Sequence, residues 1–306
     1  MSTEADTEAR ADMMCCASCG IAEVDDIKLK KCPACDLVRY CSDNCQRDHR
    51  PKHEEICKKR AAELHDEVIF RQPESIYDGD CPICFLPLPI GAEKSGLLPC
   101  CLQNVCSGCF FANYLREELE SLENACPFCR HPSPKSDKEA DETLMKSITK
   151  RVAANDPVAL RERGRKHRRE GDYESAFEYW KKAAELGDAD AHFNLSVMYR
   201  KGEGVEKDEK KEVYHLEEAA IAGHPEGRFN LACYEGENKR FDRAVKHWII
   251  GANLGCGASI QMLKELYVQG GDVSKEDFAA ALRAHQAAVY ATKSPNREKA
   301  AKAVGA

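Results

Sequence analysis

Cysteine is concentrated in one part of this sequence. Of its 18 cysteines, all but Cys233 and Cys256 lie between Cys15 and Cys129. The first residues, MSTEADTEARADMM, are acidic and contain no apolar signal segment, so we expect the chain to reside in the cytosol or the nucleus. Disulfides are rare in those compartments, where clustered cysteines more often bind metal. The clusters therefore predict metal sites, with disulfide pairing as the less favoured alternative.

The first cluster arranges its ligand-type side chains in short pairs. The pairs are Cys16 and Cys19, Cys32 and Cys35, Cys41 and Cys45, and His53 and Cys57. Eight such ligands suit two tetrahedral zinc sites, because a tight turn brings both members of a pair to one ion. A module of about 45 residues buries too little apolar surface to be stable alone, and zinc contributes on the order of 10–16 kcal/mol in small fingers. Zinc is predicted to fold this module, with Cys15 an alternative to Cys16 and His49 to His53.

This pattern, which ends in YCSDNCQRDHRPKHEEIC, resembles the MYND finger. The resemblance implies interleaved sites, in which the first and third pairs share one zinc ion and the second and fourth pairs share another. It also implies a groove for short proline-containing peptides at the helical end of the finger. Gln46 matches a glutamine of that family, whereas Arg50 stands where the family usually has tryptophan, so an aromatic wall of the groove is missing.

The second cluster consists of cysteines alone. Its predicted ligands are Cys81, Cys84, Cys100, Cys101, Cys106, Cys109, Cys126 and Cys129. Thiolates favour zinc among the available divalent ions, so eight of them again suit two zinc sites. Two of these ligands, Cys100 and Cys101, are adjacent in the sequence, which is unusual.

The order of these ligands resembles a RING domain in which all eight ligands are cysteine. The resemblance implies that Cys81, Cys84, Cys106 and Cys109 hold one ion and that the other four hold the second. It also implies ubiquitin ligation, in which a RING domain has no nucleophile and instead positions a conjugating enzyme charged with ubiquitin.

Three residues match the contacts that RING domains make in that reaction. Ile83 and Pro127 match the two loops that dock the conjugating enzyme, and Arg130 matches the cation that links ubiquitin to it. Each has a structural alternative, either core packing or an ordinary surface charge. The family's tryptophan in the helix before the last pair is absent, and Leu122 is the candidate substitute.

The composition of the sequence changes at about Thr143, where helix-forming residues replace cysteine. The segment AAELGDADAHFNL (183–195) returns as AAIAGHPEGRFNL (219–231), a period of 36 residues, and a third copy begins at 251. Gly187, Gly223 and Gly255 share one position in the repeat, where glycine supplies the positive φ that ends a helix. A period of this length predicts a solenoid of helical hairpins.

These repeats resemble the Sel-like repeats, relatives of the tetratricopeptide family, over roughly residues 156–290. The resemblance implies a surface for a protein substrate or adaptor. The aromatic side chains, among them Phe177 and Trp180, are predicted to pack in the core. The basic run RERGRKHRRE (161–170) is interpreted as the solvated face of a helix or as a docking patch.

The predicted architecture is therefore two small zinc-stapled cross-brace modules followed by an all-α solenoid of αα-hairpins. The segments are an acidic disordered tail (1–11), the MYND-like finger (12–58), a charged helical link (59–78), the RING-like finger (79–131), a linker (132–150), the repeats (151–292) and a C-terminal tail (293–306).

Charge and motifs restrict the function. The net charge of −7 argues against nucleic-acid binding by a basic surface, and no apolar run approaches the about 18 residues of a membrane span. The sequence has no G-x-S-x-G, phosphate loop or H-E-x-x-H, and zinc sites with four protein ligands leave no open position for hydrolysis. We expect a RING-type ubiquitin ligase that binds four zinc ions, a conjugating enzyme and ubiquitin, and recruits substrate through the repeats. The alternatives are a non-catalytic zinc-binding scaffold and a transcriptional cofactor that binds proline-containing peptides.

Overall fold

A computed structural model of the chain describes residues 15–24, 27–91 and 94–304. The acidic tail expected at residues 1–11 lies outside these ranges. The chain divides into two compact units, Met1–Arg71 and Gln72–Ala306, and each is described by itself below. Within the described ranges, no helix combines the length and the apolar character needed to cross a membrane.

The first unit contains a small cysteine-rich module and one long helix. Strands β1 (Lys30–Lys31) and β2 (Arg39–Tyr40) pair antiparallel, and helix α1 (Asp43–Ile69) follows. The Ser42 hydroxyl accepts a hydrogen bond from the Cys45 amide and caps the start of α1. The core around the strands consists mainly of cysteine with Leu29 and Tyr40, so apolar burial contributes little to its stability.

The second unit begins with the second cysteine module. Strands β3 (Ser95–Leu97) and β4 (Asn104–Cys106) form an antiparallel pair, and helix α2 (Ser107–Leu119) starts directly after β4. Leu88, Leu98 and Val105 are buried together with cysteines of the same module. This core is again small and rich in sulfur.

The linker expected at residues 132–150 is instead largely helical. Helix α3 (Asp137–Val152) is capped by Ser136, carries acidic residues in its first turn and ends on basic ones, all of which favour a helix. Its apolar residues Leu144, Met145 and Ile148 pack against Leu102 of the second module. The two prolines that suggested a linker lie just before the helix starts.

The remaining helices form the expected hairpins. They are α4 (Pro157–Arg169) and α5 (Tyr173–Glu185), α6 (Ala189–Lys201) and α7 (Glu209–Ile221), α8 (Pro225–Glu237) and α9 (Phe241–Asn253), and α10 (Gly257–Val268) and α11 (Lys275–Ala291). The repeat glycines at 187, 223 and 255 have φ angles of 84°, 83° and 90°, as their turns require. Trp180 is fully buried in the core of the first hairpin, and Trp248 is buried in a core formed by the third and fourth hairpins. These features confirm the predicted helical solenoid.

The C-terminal tail expected at 293–306 also contains a helix. Helix α12 (Pro295–Val304) packs against α2 of the second module. The Ser294 hydroxyl accepts a hydrogen bond from the Arg297 amide at its start, and Arg297 and Ala300 are buried. The polar sequence of this segment suggested a tail because its burial depends on a partner far away in the chain.

Candidate zinc centres

The ligand-type side chains of the first unit converge in two groups. The first centre contains Cys16, Cys19, Cys41 and Cys45, and the second contains Cys32, Cys35, His53 and Cys57. In each group the potential ligand atoms lie within 4.8 Å of one another. Local structure explains the grouping, because His53 and Cys57 are one turn apart on α1, and Cys32 and Cys35 lie in the turn between the two strands.

The distances within these groups match a tetrahedral zinc site. Zinc–sulfur bonds of about 2.3 Å place sulfurs about 3.8 Å apart on the edges of a tetrahedron. The Sγ atom of Cys41 lies 3.5 Å from that of Cys19 and 3.6 Å from that of Cys45. The Sγ atoms of Cys32 and Cys57 are 3.7 Å apart. The donors are therefore already arranged for one ion in each group.

The two alternative ligands lie outside these groups. Cys15 forms an isolated β-bridge with Ala22 and belongs to neither centre. The Nδ1 atom of His49 lies 3.1 Å from the Tyr40 hydroxyl, and its ring stacks on that of His53. His49 therefore supports the ligand His53 from outside the centre, as residues around zinc ligands commonly do.

The second module also forms two groups. The third centre contains Cys81, Cys84, Cys106 and Cys109, and the fourth contains Cys100, Cys101, Cys126 and Cys129. The Sγ–Sγ distances are 3.8 Å between Cys84 and Cys106, 3.4 Å between Cys100 and Cys129, and 3.9 Å between Cys101 and Cys126. Both of the adjacent cysteines at 100 and 101 thus face one centre. The groups interleave along the chain in the order that the resemblance implied.

The electrostatics of the centres favour binding of a dication. Burial opposes ionisation of Cys16, but amide donors from Cys19 and Cys41 outweigh it and lower the pKa of Cys16 to about 6. Side-chain hydrogen bonds to the sulfurs of Cys19 and Cys45 raise the pKa of Cys41 to about 12, because they stabilise its protonated thiol. A bound Zn²⁺ replaces the thiol protons and makes all four thiolates stable together.

The residues present therefore fit zinc. Sets of four cysteines, or of three cysteines and one histidine, are typical of structural zinc sites. When bound, the ion contributes folding energy, and four protein ligands leave no coordination position for a substrate. The chain's own residues supply the turns, strands and helix starts that bring the ligands together.

Comparison with known proteins identifies two of the three regions. The family model of the MYND finger matches residues 16–57, and that of the Sel1 repeat matches residues 160–188 and 189–224. The chain contains a MYND finger followed by Sel1 repeats. The likeness of the second cysteine module to a RING domain is supported by its cysteine groups alone.

Solved structures similar to the chain include two repeat proteins. One is a Sel1 repeat protein from Oxalobacter formigenes, with 22% identity, a TM-score of 0.43, and coverage of 58% of this chain and 71% of that one. The other is a protective antigen of uropathogenic Escherichia coli that displays an SLR fold, with 20% identity, a TM-score of 0.38, and coverage of 54% and 36%. No curated protein matches the chain.

The MYND finger has a groove beside its second zinc centre. A cavity of about 480 Å³ lies between α1 and the turn that carries Cys32. Gln46 and Arg50 both line this cavity, together with Tyr40 and His53. Arg50 thus contributes a cation to a wall where the family usually has an aromatic ring.

The three predicted ubiquitin-ligation contacts lie on the loops of the RING-like module. Ile83 is half-buried against the module core, and Pro127 is half-buried in the last cysteine pair. Arg130 is exposed, and its Nη1 donates to Asn113 Oδ1 at 3.0 Å and lies 3.4 Å from the buried carboxylate of Glu117. The roles of these residues toward a conjugating enzyme stay predictions.

Exposed aromatic residues on the same loops were not singled out from the sequence. The side chain of Phe85, which follows the first pair, is 76% exposed, and Phe128 lies exposed inside the last pair. Phe85 has a φ angle of 56°, so the chain turns sharply at that residue and directs the ring outward. Leu122 is also exposed. A bulky apolar residue in or next to a cysteine pair is the sequence signal that could have predicted these exposed side chains.

Two arginines of the basic run 161–170 belong to an ion-pair network of the repeats, whereas Arg169 at the end of the same helix is exposed. The side chain of Arg161 is only 11% exposed and lies 3.1 Å from Asp188 and 3.6 Å from Asp190. Arg165 also pairs with Asp190, and both arginines contact Glu162. Burial raises the pKa of Asp190, but His224 and the two arginines outweigh it and lower the pKa to about 2.

The RING-like module is attached to the repeats by an anchor segment, residues 72–80. The ring of Tyr77 stacks on His224 at a centroid distance of 4.6 Å, and His224 stacks on Phe193 from the preceding repeat at the same distance. The Tyr77 amide donates to the Gly223 carbonyl at 3.3 Å. A Cβ atom on Gly223 would lie 2.6 Å from the Ser75 carbonyl oxygen. Only glycine at this turn therefore leaves room for the anchor segment.

Proposed function

We propose that this protein is a zinc-stabilised scaffold whose MYND finger and Sel1 repeats bind other proteins. The observation that carries the proposal is the groove beside the second zinc centre, because zinc ligands and groove residues share the start of α1. Four closed zinc centres and a helical repeat surface agree with binding, since none of them offers a reacting group.

The groove suits a short extended peptide that contains proline. Its walls combine the apolar surface of Tyr40, Pro33 and Ala34 with the polar groups of Gln46 and Arg50. Proline segments are extended before they bind, so they lose little conformational entropy on binding. The cation at Arg50 adds a preference for peptides with an acidic residue next to the proline.

Direct binding of labelled peptides tests this proposal. Fluorescein-labelled peptides with proline next to Asp or Glu, and the same peptides with alanine for proline, are titrated with the full-length zinc-loaded protein. We expect Arg50→Glu to weaken binding of the acidic proline peptides at least about tenfold. Lys59→Glu is the matched control, because Lys59 is exposed on the same helix and does not line the groove.

The outcomes of this experiment are distinct. Equal binding by wild type and Arg50→Glu contradicts the assignment of the peptide site to this groove. Saturable binding that is unchanged when alanine replaces proline contradicts it as well. If no peptide binds while the zinc content is intact, the peptide-binding part of the proposal is wrong.

Ubiquitin ligation by the RING-like module is a second candidate function. It is favoured by the interleaved cysteine groups and by the exposed Phe85 and Phe128 on the loops that carry Ile83 and Pro127. In this function the loops dock a charged conjugating enzyme and orient its thioester for attack. The module supplies proximity and no covalent step.

Discharge of ubiquitin from a panel of charged conjugating enzymes tests this candidate. We expect the wild type to accelerate discharge, and Ile83→Ala and Arg130→Ala to abolish the acceleration with the zinc content intact. Phe110→Ala is the control, because it removes an exposed ring of α2 outside the two loops. If no conjugating enzyme responds to the zinc-loaded wild type, the module acts in binding alone.

A further inference from the structure

Helix α12 lies directly on the third zinc centre. The Nη2 atom of Arg297 is 3.5 Å from the Sγ atom of Cys84 and 3.3 Å from the Leu86 carbonyl oxygen. Its Nη1 atom donates to the Pro87 carbonyl at 2.7 Å and to the Thr292 carbonyl at 2.6 Å. One guanidinium therefore joins a zinc ligand, the loop that follows it and the end of α11.

The charge of this guanidinium has no carboxylate partner among the described residues. Arg297 is only 8% exposed, and none of the ion pairs found in residues 15–24, 27–91 and 94–304 includes it. A buried cation needs a compensating negative charge. Four thiolates around one Zn²⁺ carry a net charge of about −2, and the third centre is the negative group in contact with Arg297.

The module also has a shape that admits the helix. Gly108 lies between the ligands Cys106 and Cys109, and a Cβ atom there would be 2.6 Å from the backbone nitrogen of Arg297. Backbone atoms cannot move aside as a flexible side chain can, so the absence of a side chain at this position lets α12 approach the ligand turn. Ala300, one turn further along α12, is buried at the same interface.

We propose that Arg297 is a positioning residue for the third zinc centre, where it holds Cys84 by a charge-assisted N–H···S contact and compensates the charge of the thiolates. Helix α12 thereby retains zinc at a cysteine that lies 213 positions before Arg297 in the chain. This role of Arg297 is independent of the proposed functions, because it concerns the retention of zinc and not the partners of the module. Residues that contact zinc ligands in this way typically change metal affinity by about 10–100-fold.

Arg297 and Cys84 are 213 positions apart in the sequence, so their contact links distant parts of the chain. Such a contact couples the C-terminal end of the repeats to the stability of the RING-like module. Loss of α12 would leave the third centre with its four ligands but without its neighbouring cation.

Zinc release from the full-length protein tests the proposal. The rate of zinc transfer to a chelating dye is measured for the wild type and for Arg297→Gln, Arg297→Lys and Arg283→Gln. The last variant is the control, because Arg283 is exposed on α11. We expect Arg297→Gln to release one of the four zinc ions about 10–100-fold faster and the other three at the wild-type rate. Arg297→Lys keeps the charge and is expected to restore slow release in part, and Arg283→Gln to match the wild type.

Cadmium NMR of the cadmium-loaded protein supplies a readout that packing alone would not move. We expect Arg297→Gln to shift one resonance of the all-cysteine centres and to leave the others in place. Release of every ion at the wild-type rate together with an unchanged cadmium spectrum overturns the proposal. If Arg297→Gln does not fold, Arg297→Lys decides the question, because a displaced cation shifts the resonance of the third centre only if Arg297 acts on Cys84.

Discussion

The buried ion-pair network of the first repeat leads to a sharp prediction for Arg161→Met. The substitution keeps the length of the side chain but removes a cation that contacts Asp188, Asp190 and Glu162. These carboxylates remain buried and lose a main partner. Removal of one partner from a buried ion pair costs about 3–5 kcal/mol, and we expect a loss of this size in the free energy of unfolding.

The pKa of Asp190 supports the size of this effect. The shift from the model-compound value of 3.8 to about 2 corresponds to about 2.5 kcal/mol of stabilisation of the folded state. Arg161 supplies one part of that stabilisation, and its contacts with Asp188 and Glu162 add to the total. An exposed basic residue contributes far less, since surface substitutions usually change stability by no more than about 0.5 kcal/mol.

Tryptophan fluorescence during urea unfolding measures this change specifically. The chain has two tryptophans, Trp180 and Trp248, and both are buried in the repeats. With a urea slope of about 2 kcal/mol per molar, the midpoint should fall by about 2 M. Arg169→Met is the matched control, because Arg169 is exposed at the end of the same helix and should leave the midpoint nearly unchanged.

The loss should also depend on pH. In the variant, Asp188 and Asp190 stay buried with one cation fewer, so their folded-state pKa values rise relative to the wild type. Groups with raised folded-state pKa values bind protons more readily in the folded chain, so the deficit shrinks as the pH falls through the pKa of Asp188, which burial already raises above its usual value. A loss below about 1 kcal/mol, or one that grows on acidification, would refute the assignment of Arg161 to a buried network.

Three further predictions concern packing, docking and metal. A Cβ atom on Gly164 would lie 2.5 Å from Trp180 Nε1, so Gly164→Ala should destabilise the repeats by about 1–3 kcal/mol in urea unfolding, whereas Gly257→Ala, with open space around it, should not. Tyr77→Ala removes a stacked ring worth about 2 kcal/mol and should speed hydrogen exchange of residues 72–80 about 30-fold, whereas the exposed Tyr290 should be replaceable by alanine without effect. Atomic absorption should count four zinc ions per chain, and acidification below about pH 5 should release them because protons compete for the ligands. A count of two would contradict zinc binding by the RING-like module.

The local parts of this structure could be predicted from the sequence. Cysteine pairs separated by two or three residues can face a common ion whatever the rest of the fold does, and the structure brings the same pairs together. The repeat period and the glycine at each turn likewise specify backbone geometry directly, as the positive φ angles show.

The features that the sequence did not predict depend on contacts between residues far apart in the chain. Helix α3 buries mainly Ile148, and α12 buries Arg297 and Ala300, so neither has the apolar stripe that marks a helix in isolation. The burial of Arg161 depends on Asp188, the capping residue of a helix in the next hairpin, which no local pattern in the basic run reveals. In each case a polar segment is ordered by a surface that the sequence alone does not place beside it.

The attachments of the RING-like module argue that it works as part of the repeat unit. The anchor segment holds its start through Tyr77, α12 covers the third centre through Arg297, and the Ser147 hydroxyl of α3 donates to the Cys100 carbonyl at the fourth centre. A flexible linker would let a partner on the repeats sample many positions relative to the module, with an effective concentration set by linker length. Three attachments fix that position instead. In the proposed functions, a partner bound to the repeats would therefore present one particular surface to the cysteine loops, and selectivity for a pair of partners would arise from that fixed geometry as well as from affinity at either surface.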